Sequence, residues 1–397
     1  MTEPTSTFGR RLRAHRERAG LTRPVLGGLV GRSAEWVKAV ETGRLLPPRL
    51  PMMLSLAEAL DISDLADLTG EQSLPVASVT RAGHPDVDRV AAAMQRTTVP
   101  AGDPTDVDAL RGLVDQAWSV WHRSSAERTA VAAVLPGLLA ETRRSARRLD
   151  GLDRRRALVE MARAYHLAQL YVAHQPYPEL VWLAADRAMG AAQDADDPAA
   201  IAAAAWYYAH VYRGANQVDA GEQVLVDAVD LVDPAAGGEQ LARWGQVQLG
   251  LALGHSKRGR AGQAWRAWDQ ADRAASTLGG THPWLMFGAA ACAAYAVTME
   301  TDLCRPGEAV RRADSTDYSA LPSRTRRAGH LIEAARAHLL ARGEVAGVHL
   351  LGRALRESVD TVRHHPFART AAVELSTRPG TVGEDARELA LAIGVTG

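Results

Sequence analysis

From about Val107 onward the chain is alanine-rich, its apolar residues recur with helical period, and no stretch alternates β-branched with polar residues. Short breaks cut this region at intervals, at Arg213-Gly214, Arg258-Gly259-Arg260, Arg305-Pro306-Gly307 and Ala341-Arg342-Gly343. The aligned small or apolar positions are Leu180, Ala220, Ala264, Ala309 and Val348, at successive separations of 40, 44, 45 and 39 residues. Such a period predicts an α-solenoid, because a helix pair with one apolar face can bury it only against the next pair. The expected fold class is therefore all-α.

One copy of the repeat is more explicit. Gly259 is followed by Ala264 five residues later, by Trp268 four after that and by Ala271 three further on. This spacing resembles a tetratricopeptide repeat, a family in which small residues let paired helices cross closely while an aromatic fills the gap. The period here exceeds that family's usual 34 or so residues.

Composition narrows the class. With 397 residues, 47% hydrophobic and 23% charged, the chain is long enough for two or three domains with cores of their own. Two cysteines cannot build a disulfide framework or a cysteine-rich zinc site, which suits a reducing cytoplasm. The most apolar run, Phe287 to Val297, is short of the roughly 20 residues a membrane span needs. Arginines punctuate residues 1–30, against a signal peptide. The expectation is a cytoplasmic protein without a membrane partner.

The 46 basic and 46 acidic residues are unevenly placed. Between Phe8 and Leu60 ten basic side chains face only Glu17, Glu35, Glu41 and Glu58, a surplus of six positive charges. A small basic head on a mildly acidic body points to a polyanion partner for the head alone, or to a solvated basic face. Five short helices are predicted in it. The first, Phe8 to Ala19, closes at Gly20; Thr22 caps the second, with Pro24 in its first turn; after a turn at Gly31, Ser33 caps a third that runs to Glu41. Beyond Pro47-Pro48, Leu50, Met53, Leu54, Ala57 and Leu60 share one face of a fourth, and Ile62 to Leu68 offers a fifth.

The head resembles the phage-repressor (XRE-type) helix-turn-helix family. Gly27, Gly31 four residues later, Val37 six after that and Val40 three further on match the family's spacing, and Glu41-Thr42-Gly43 matches the close of its third helix. The chain departs from the pattern at Arg23, where a glutamine is usual, at Arg32, usually apolar, and in the mid-helix pair Gly27-Gly28. The resemblance implies base reading from the start of the third helix, at Ser33, Ala34, Glu35, Trp36 and Lys38, with Ala39 beside them. There Glu35 would accept from a cytosine amino group and Lys38 would reach a guanine edge or a phosphate. Trp36 would pack on a thymine methyl or cover the helix pair, packing being the commoner role of a large aromatic. Arg11, Arg23, Arg44 and Arg49 would contact phosphates.

The predicted organisation is a helix-turn-helix domain over 1–70, a linker over 71–105 with a short helix from Asp86 to Arg96, and a solenoid over 106–397. A repressor-type head on a tetratricopeptide-like body resembles the signal-responsive bacterial regulators. That resemblance implies a homodimer on a palindromic operator and a small molecule or short peptide as effector. Peptide-sensing members hold the peptide backbone with asparagines, whereas this chain has a single one, Asn216. Polar aromatics that would line an effector site are Trp118, Trp121 and His122; Tyr165, His166 and Gln169; and Trp206, Tyr207, Tyr208, His210 and Tyr212. Taken singly, each is more often packing between repeats.

No Walker loop, dinucleotide fingerprint, nucleophile elbow or zinc-protease motif is present, and Cys292 and Cys304 read as buried small residues. The sequence thus predicts no enzyme, no cofactor and no metal, but a DNA-binding transcriptional regulator. The alternative is an interaction scaffold whose head no longer binds DNA.

Overall fold

The computed structural model describes residues 8–48, 50–70, 83–99 and 101–395, and among these the chain is helical with no strand. Two compact units divide it, one of Met1–Ala82 with Arg363–Gly397 and one of Gly83–Val362. This differs from the division expected from sequence at both ends of the body. The short helix anticipated in the linker belongs to the second unit, and the last helices belong to the first. The first part of the expected linker, residues 71–82, lies outside the described residues.

The first unit opens with α1 (Phe8–Arg18), α2 (Arg23–Leu29), α3 (Ala34–Glu41), α4 (Leu50–Ala59) and α5 (Ala66–Thr69). Local chemistry sets their ends. Gly20 turns left-handed after α1, Thr22 Oγ1 accepts from the Val25 amide at 3.4 Å, and Ser33 Oγ accepts from the Trp36 amide at 3.1 Å. α1 ends one residue early, and α5 is markedly shorter than expected. Leu12, Leu26, Val37, Val40, Leu56 and Leu68 form the core. The glycine inside α2 has a reason: a Cβ on Gly27 would lie 2.5 Å from the Arg32 carbonyl oxygen, so the turn between α2 and α3 closes only over glycine. Gly28 meets open space, and nothing in the structure explains it. The carboxyl-terminal helices Pro366–Ser376 and Gly380–Ala392 pack on each other, the former lies against α4, and Val373 packs on the head's core.

The second unit begins with α6 (Val87–Gln95), α7 (Val107–Arg123), α8 (Glu127–Ala132) and α9 (Leu135–Arg148). Val87, Val90 and Met94 of α6 are buried in the body's core. Five helix hairpins follow: α10 and α11 (Gly151–Val172, Pro178–Ala195), α12 and α13 (Pro198–Gly214, Val218–Val229), α14 and α15 (Gly238–Lys257, Ala261–Leu278), α16 and α17 (Ala289–Asp302, Pro306–Ser315), and α18 and α19 (Arg324–Leu340, Glu344–Glu357). The first helix of each hairpin packs on the first helix of the next, which makes an α-solenoid.

That stack does not stay open. α18 packs back on α7, and α7 packs on α10, so the inner helices close into a ring. Long-range bonds seal it. His122 Nδ1 and Ser323 Oγ are 2.8 Å apart, the Val359 amide donates to the Ser125 carbonyl at 2.9 Å, and the Thr129 amide donates to Asp360 at 3.0 Å. The fully buried Glu127 carboxylate accepts from the hydroxyls of Ser358 and Thr361.

Four hairpin turns share one conformation. Asn216, Gly259, Cys304 and Arg342 each stand two residues before the second helix with φ between 58° and 72°. In each turn the next amide reaches back five residues: Gln217 to Tyr212, Arg260 to His255, Arg305 to Glu300 and Gly343 to His338, at 2.8–2.9 Å. The breaks expected from sequence therefore shift slightly, since Gly214 ends α12 while Pro306 and Gly307 begin α17. Among the aligned small positions, Leu180, Ala264, Ala309 and Val348 are buried. Ala220 is a correction: it is exposed, and Gly221 takes the inward place, where a Cβ would sit 3.0 Å from Tyr212 Cβ. Cys292 is buried as expected, but Cys304 is exposed because its place in the turn turns it outward.

Candidate functional site

Helix α3 presents a polar outer face. Its first turn carries Ala34, Glu35 and Trp36 beyond the Ser33 cap, and Glu35 and Lys38 are exposed. Trp36 is half-buried against the head's core, with the Arg32 guanidinium 5.8 Å from its ring centre. Ala39, expected beside the base-reading positions, is 4% exposed and turned inward with Val37 and Val40. Helical geometry decides this: around α3 the inner arc runs through Glu41, Val37, Val40 and Trp36 to Ala39 at its edge, whereas Glu35 and Lys38 fall together in the remaining arc.

The arginines expected at phosphates are used unequally. Arg44 is 67% exposed, its guanidinium 3.9 Å from the Glu35 carboxylate. Arg11 instead donates to the Thr69 carbonyl at 3.0 Å, tying α1 to α5. Arg23 Nε donates to Glu41 at 2.8 Å, and Arg16 Nε reaches the same carboxylate at 2.5 Å. With its side chain fully enclosed, Glu41 thus joins α1, α2 and α3 through two guanidinium partners. Arg49 lies outside the described residues.

In the body, the structure gathers some of the polar aromatics and separates others. Inside the ring, Trp118 stacks on His122 at 5.4 Å, and His166 stacks on Tyr207 at 4.3 Å. Gln169 Nε2 donates to the Tyr207 carbonyl at 2.8 Å, and Trp118 Nε1 to the Arg163 carbonyl at 3.3 Å. Across the ring, Tyr295 meets His330 at 4.6 Å and accepts from Arg326 at 2.7 Å. Trp121 is buried beside Arg128, and Tyr165 is buried where Arg187 reaches its hydroxyl at 3.1 Å. Tyr208 and Tyr212 form a separate half-buried group with Trp182, and Asn216 sits in a hairpin turn, so none of these three joins the interior.

The interior histidines are held neutral. Burial, reinforced by nearby arginines, lowers His122, His166 and His330 to about 3. Neither ring nitrogen of His166 has a hydrogen-bond partner among the described residues. Beside it lie groups that sequence reasoning missed: Arg163 and Arg243, both buried, with guanidinium carbons 4.6 and 4.0 Å from the ring centre of Trp284. With 44 arginines in the chain, nothing local distinguished these two, and Trp284 lies in a connecting segment more than 40 residues from the nearer.

Among the described residues no group of three or more His, Cys, Asp and Glu side chains is placed to hold a metal ion, and no helix is long and apolar enough to cross a membrane.

Comparison with known proteins identifies the head. Residues 7–68 match the family described as a helix-turn-helix domain. No curated protein matches the chain. Among solved structures the chain is similar to Bacillus thuringiensis PlcR, in a crystal structure with the peptide PapR7 and DNA, at 12% identity, over 87% of this chain and 99% of that one, with a TM-score of 0.30. That score lies below the level at which a shared fold follows.

Proposed function

We propose that the protein is a sequence-specific DNA-binding transcriptional regulator. The observation that carries this reading is the outer face of α3 in a helix-turn-helix domain, where Glu35 and Lys38 are exposed beside a capped helix start and Arg44 extends from the following turn. The base-reading set is Ser33, Ala34, Glu35, Trp36 and Lys38, with Arg44 and Arg49 at phosphates. Arg11 and Arg23 act by fixing the head's shape. The body is the effector-sensing and dimerising part, and two copies on a palindromic site gain affinity from each other.

Genome-wide recovery of bound fragments, followed by mobility shift on the recovered sequences, tests the reading. Glu35→Ala is expected to change base preference. Arg44→Ala is expected to weaken all sites alike and reduce the salt slope by about 1. Equal loss on specific and non-specific DNA in Glu35→Ala removes the base-reading assignment. A second reading, a head that docks a protein, is favoured by the exposed Leu29 and Leu46 at 61% and 87%. Absence of any competitor-resistant DNA complex selects it.

A further inference from the structure

A cavity of about 400 Å3 opens among the inner helices of the second unit, within the size range of small-molecule sites. Its floor is buried: Glu160, Arg163 and His166 of α10, Ala203 of α12 and Arg243 of α14, with Trp284 against both guanidiniums. Its lip is open to solvent and mainly acidic, formed by Asp115, Asp197 and Glu239 with the single cation Arg111 beside them.

The floor has more donors than the protein satisfies. Arg163 Nη1 and Nη2 are bonded to Glu160 and Asp115, but its buried Nε has no partner. Arg243 is paired with Glu239 through Nε and Nη2, leaving the buried Nη1 unmatched. His166 is 1% exposed and lines the same cavity with both ring nitrogens unbonded. Leaving a buried polar atom unpaired is costly, and three residues carry such atoms at one place. By contrast, both Glu160 oxygens and both Glu239 oxygens already accept hydrogen bonds. The two unmatched guanidinium N–H groups and one ring N–H of neutral His166 thus outnumber its one acceptor nitrogen, so an incoming group at the floor chiefly accepts hydrogen bonds, while one at the lip meets carboxylates.

We propose that this cavity binds a free amino acid or a similar small zwitterion, its carboxylate on Arg243 Nη1, Arg163 Nε and His166, and its ammonium toward Asp115 and Asp197. The acidic lip disfavours ligands with several negative charges, and the alanines Ala162, Ala199, Ala200 and Ala203 leave room for a side chain beside Trp284. This deepens the effector part of the proposed function and rests on it only for the consequence at DNA.

The test uses the full-length protein, titrated with each standard L-amino acid by calorimetry and by thermal shift. At least one is expected to bind once per chain with a dissociation constant below about 1 mM, and its decarboxylated amine at least about tenfold more weakly. His166→Phe removes only unbonded polar atoms, so its melting temperature is expected to hold or rise while the ligand response disappears. Ala199→Phe, at the partly exposed lip, fills the cavity without altering the floor and is expected to abolish binding as well. No binding of any amino acid at millimolar concentration overturns the proposal, as does unchanged affinity in both variants or equal affinity for the amine. Mobility shift run on the same preparations separates the two readings. A protein that shifts its DNA but ignores every amino acid loses only this inference, and one that binds an amino acid without any DNA affinity loses only the regulator.

Discussion

Glu41 shows how one side chain organises the head. A carboxylate removed from water is tolerated only when its partners offset the lost hydration, and here guanidiniums from two other helices do so. Arg16 depends on it in turn, being 6% exposed, with Nη1 also donating to the Leu21 carbonyl at 2.8 Å. Glu41→Ala strands the Arg16 charge in the core and is expected to destabilise the head by about 3–5 kcal/mol. Thermal unfolding of the full chain checks this, and a variant that melts with the parent removes Glu41 from the role. In the sequence, Glu41 was legible as the acidic residue that ends the third helix. Its two partners were not, because Arg16 and Arg23 lie 25 and 18 residues away among many other arginines.

At the scale of helices and turns, legibility followed the range of the interaction. Thr22, Ser33 and Gly20 act on their own helix ends, so the head's first four helices could be read residue by residue. The hairpin turns were harder, because one backbone shape is carried by Asn216, Gly259, Cys304 and Arg342, and only one of these announces it. That mixture explains the one-residue slip from Gly221 to Ala220. It also yields a prediction. A left-handed non-glycine residue carries roughly 1–2 kcal/mol of strain, partly matched by the extra freedom glycine has when unfolded, so Arg342→Gly is expected to stabilise the body by about 0.5–1 kcal/mol. Denaturant unfolding measures it, and a loss of stability argues that the arginine side chain holds the turn by contacts of its own. The effector residues were legible only as polar aromatics. Trp118, His166 and Gln169 do face the interior, but which aromatics meet there depends on a ring sealed by residues as far as 234 positions apart.

The whole body inherits an acid sensitivity from its interior. His122, His166 and His330 are neutral when folded, at about 3, against 6.5 for an ordinary histidine. The unfolded chain therefore binds more protons between those values, so stability is complete above pH 6.5 and falls as pH drops toward 3. Glu239 shifts in the same sense. Burial opposes its charge, but the hydrogen bond from His282 and the Arg243 charge outweigh it and hold the carboxyl at about 2. At pH 5 each histidine is expected to cost about 2 kcal/mol, a large share of a typical total of about 5–15. Calorimetric melting is thus expected to be flat above pH 7 and to fall steeply from pH 6.5 to 4, and equal melting at pH 7 and pH 5 excludes the neutral interior.

An open stack of repeats can lengthen or shorten by one unit, since each end is only a surface to be covered. Once α18 has returned to α7, that freedom is gone: the number of spokes is set by the angle each hairpin adds, and one more or one fewer leaves a gap or a clash at the seam. Evolution by duplicating or deleting a hairpin is closed to this architecture. Change must come through substitutions at the hub, the same residues on which any occupant would have to act.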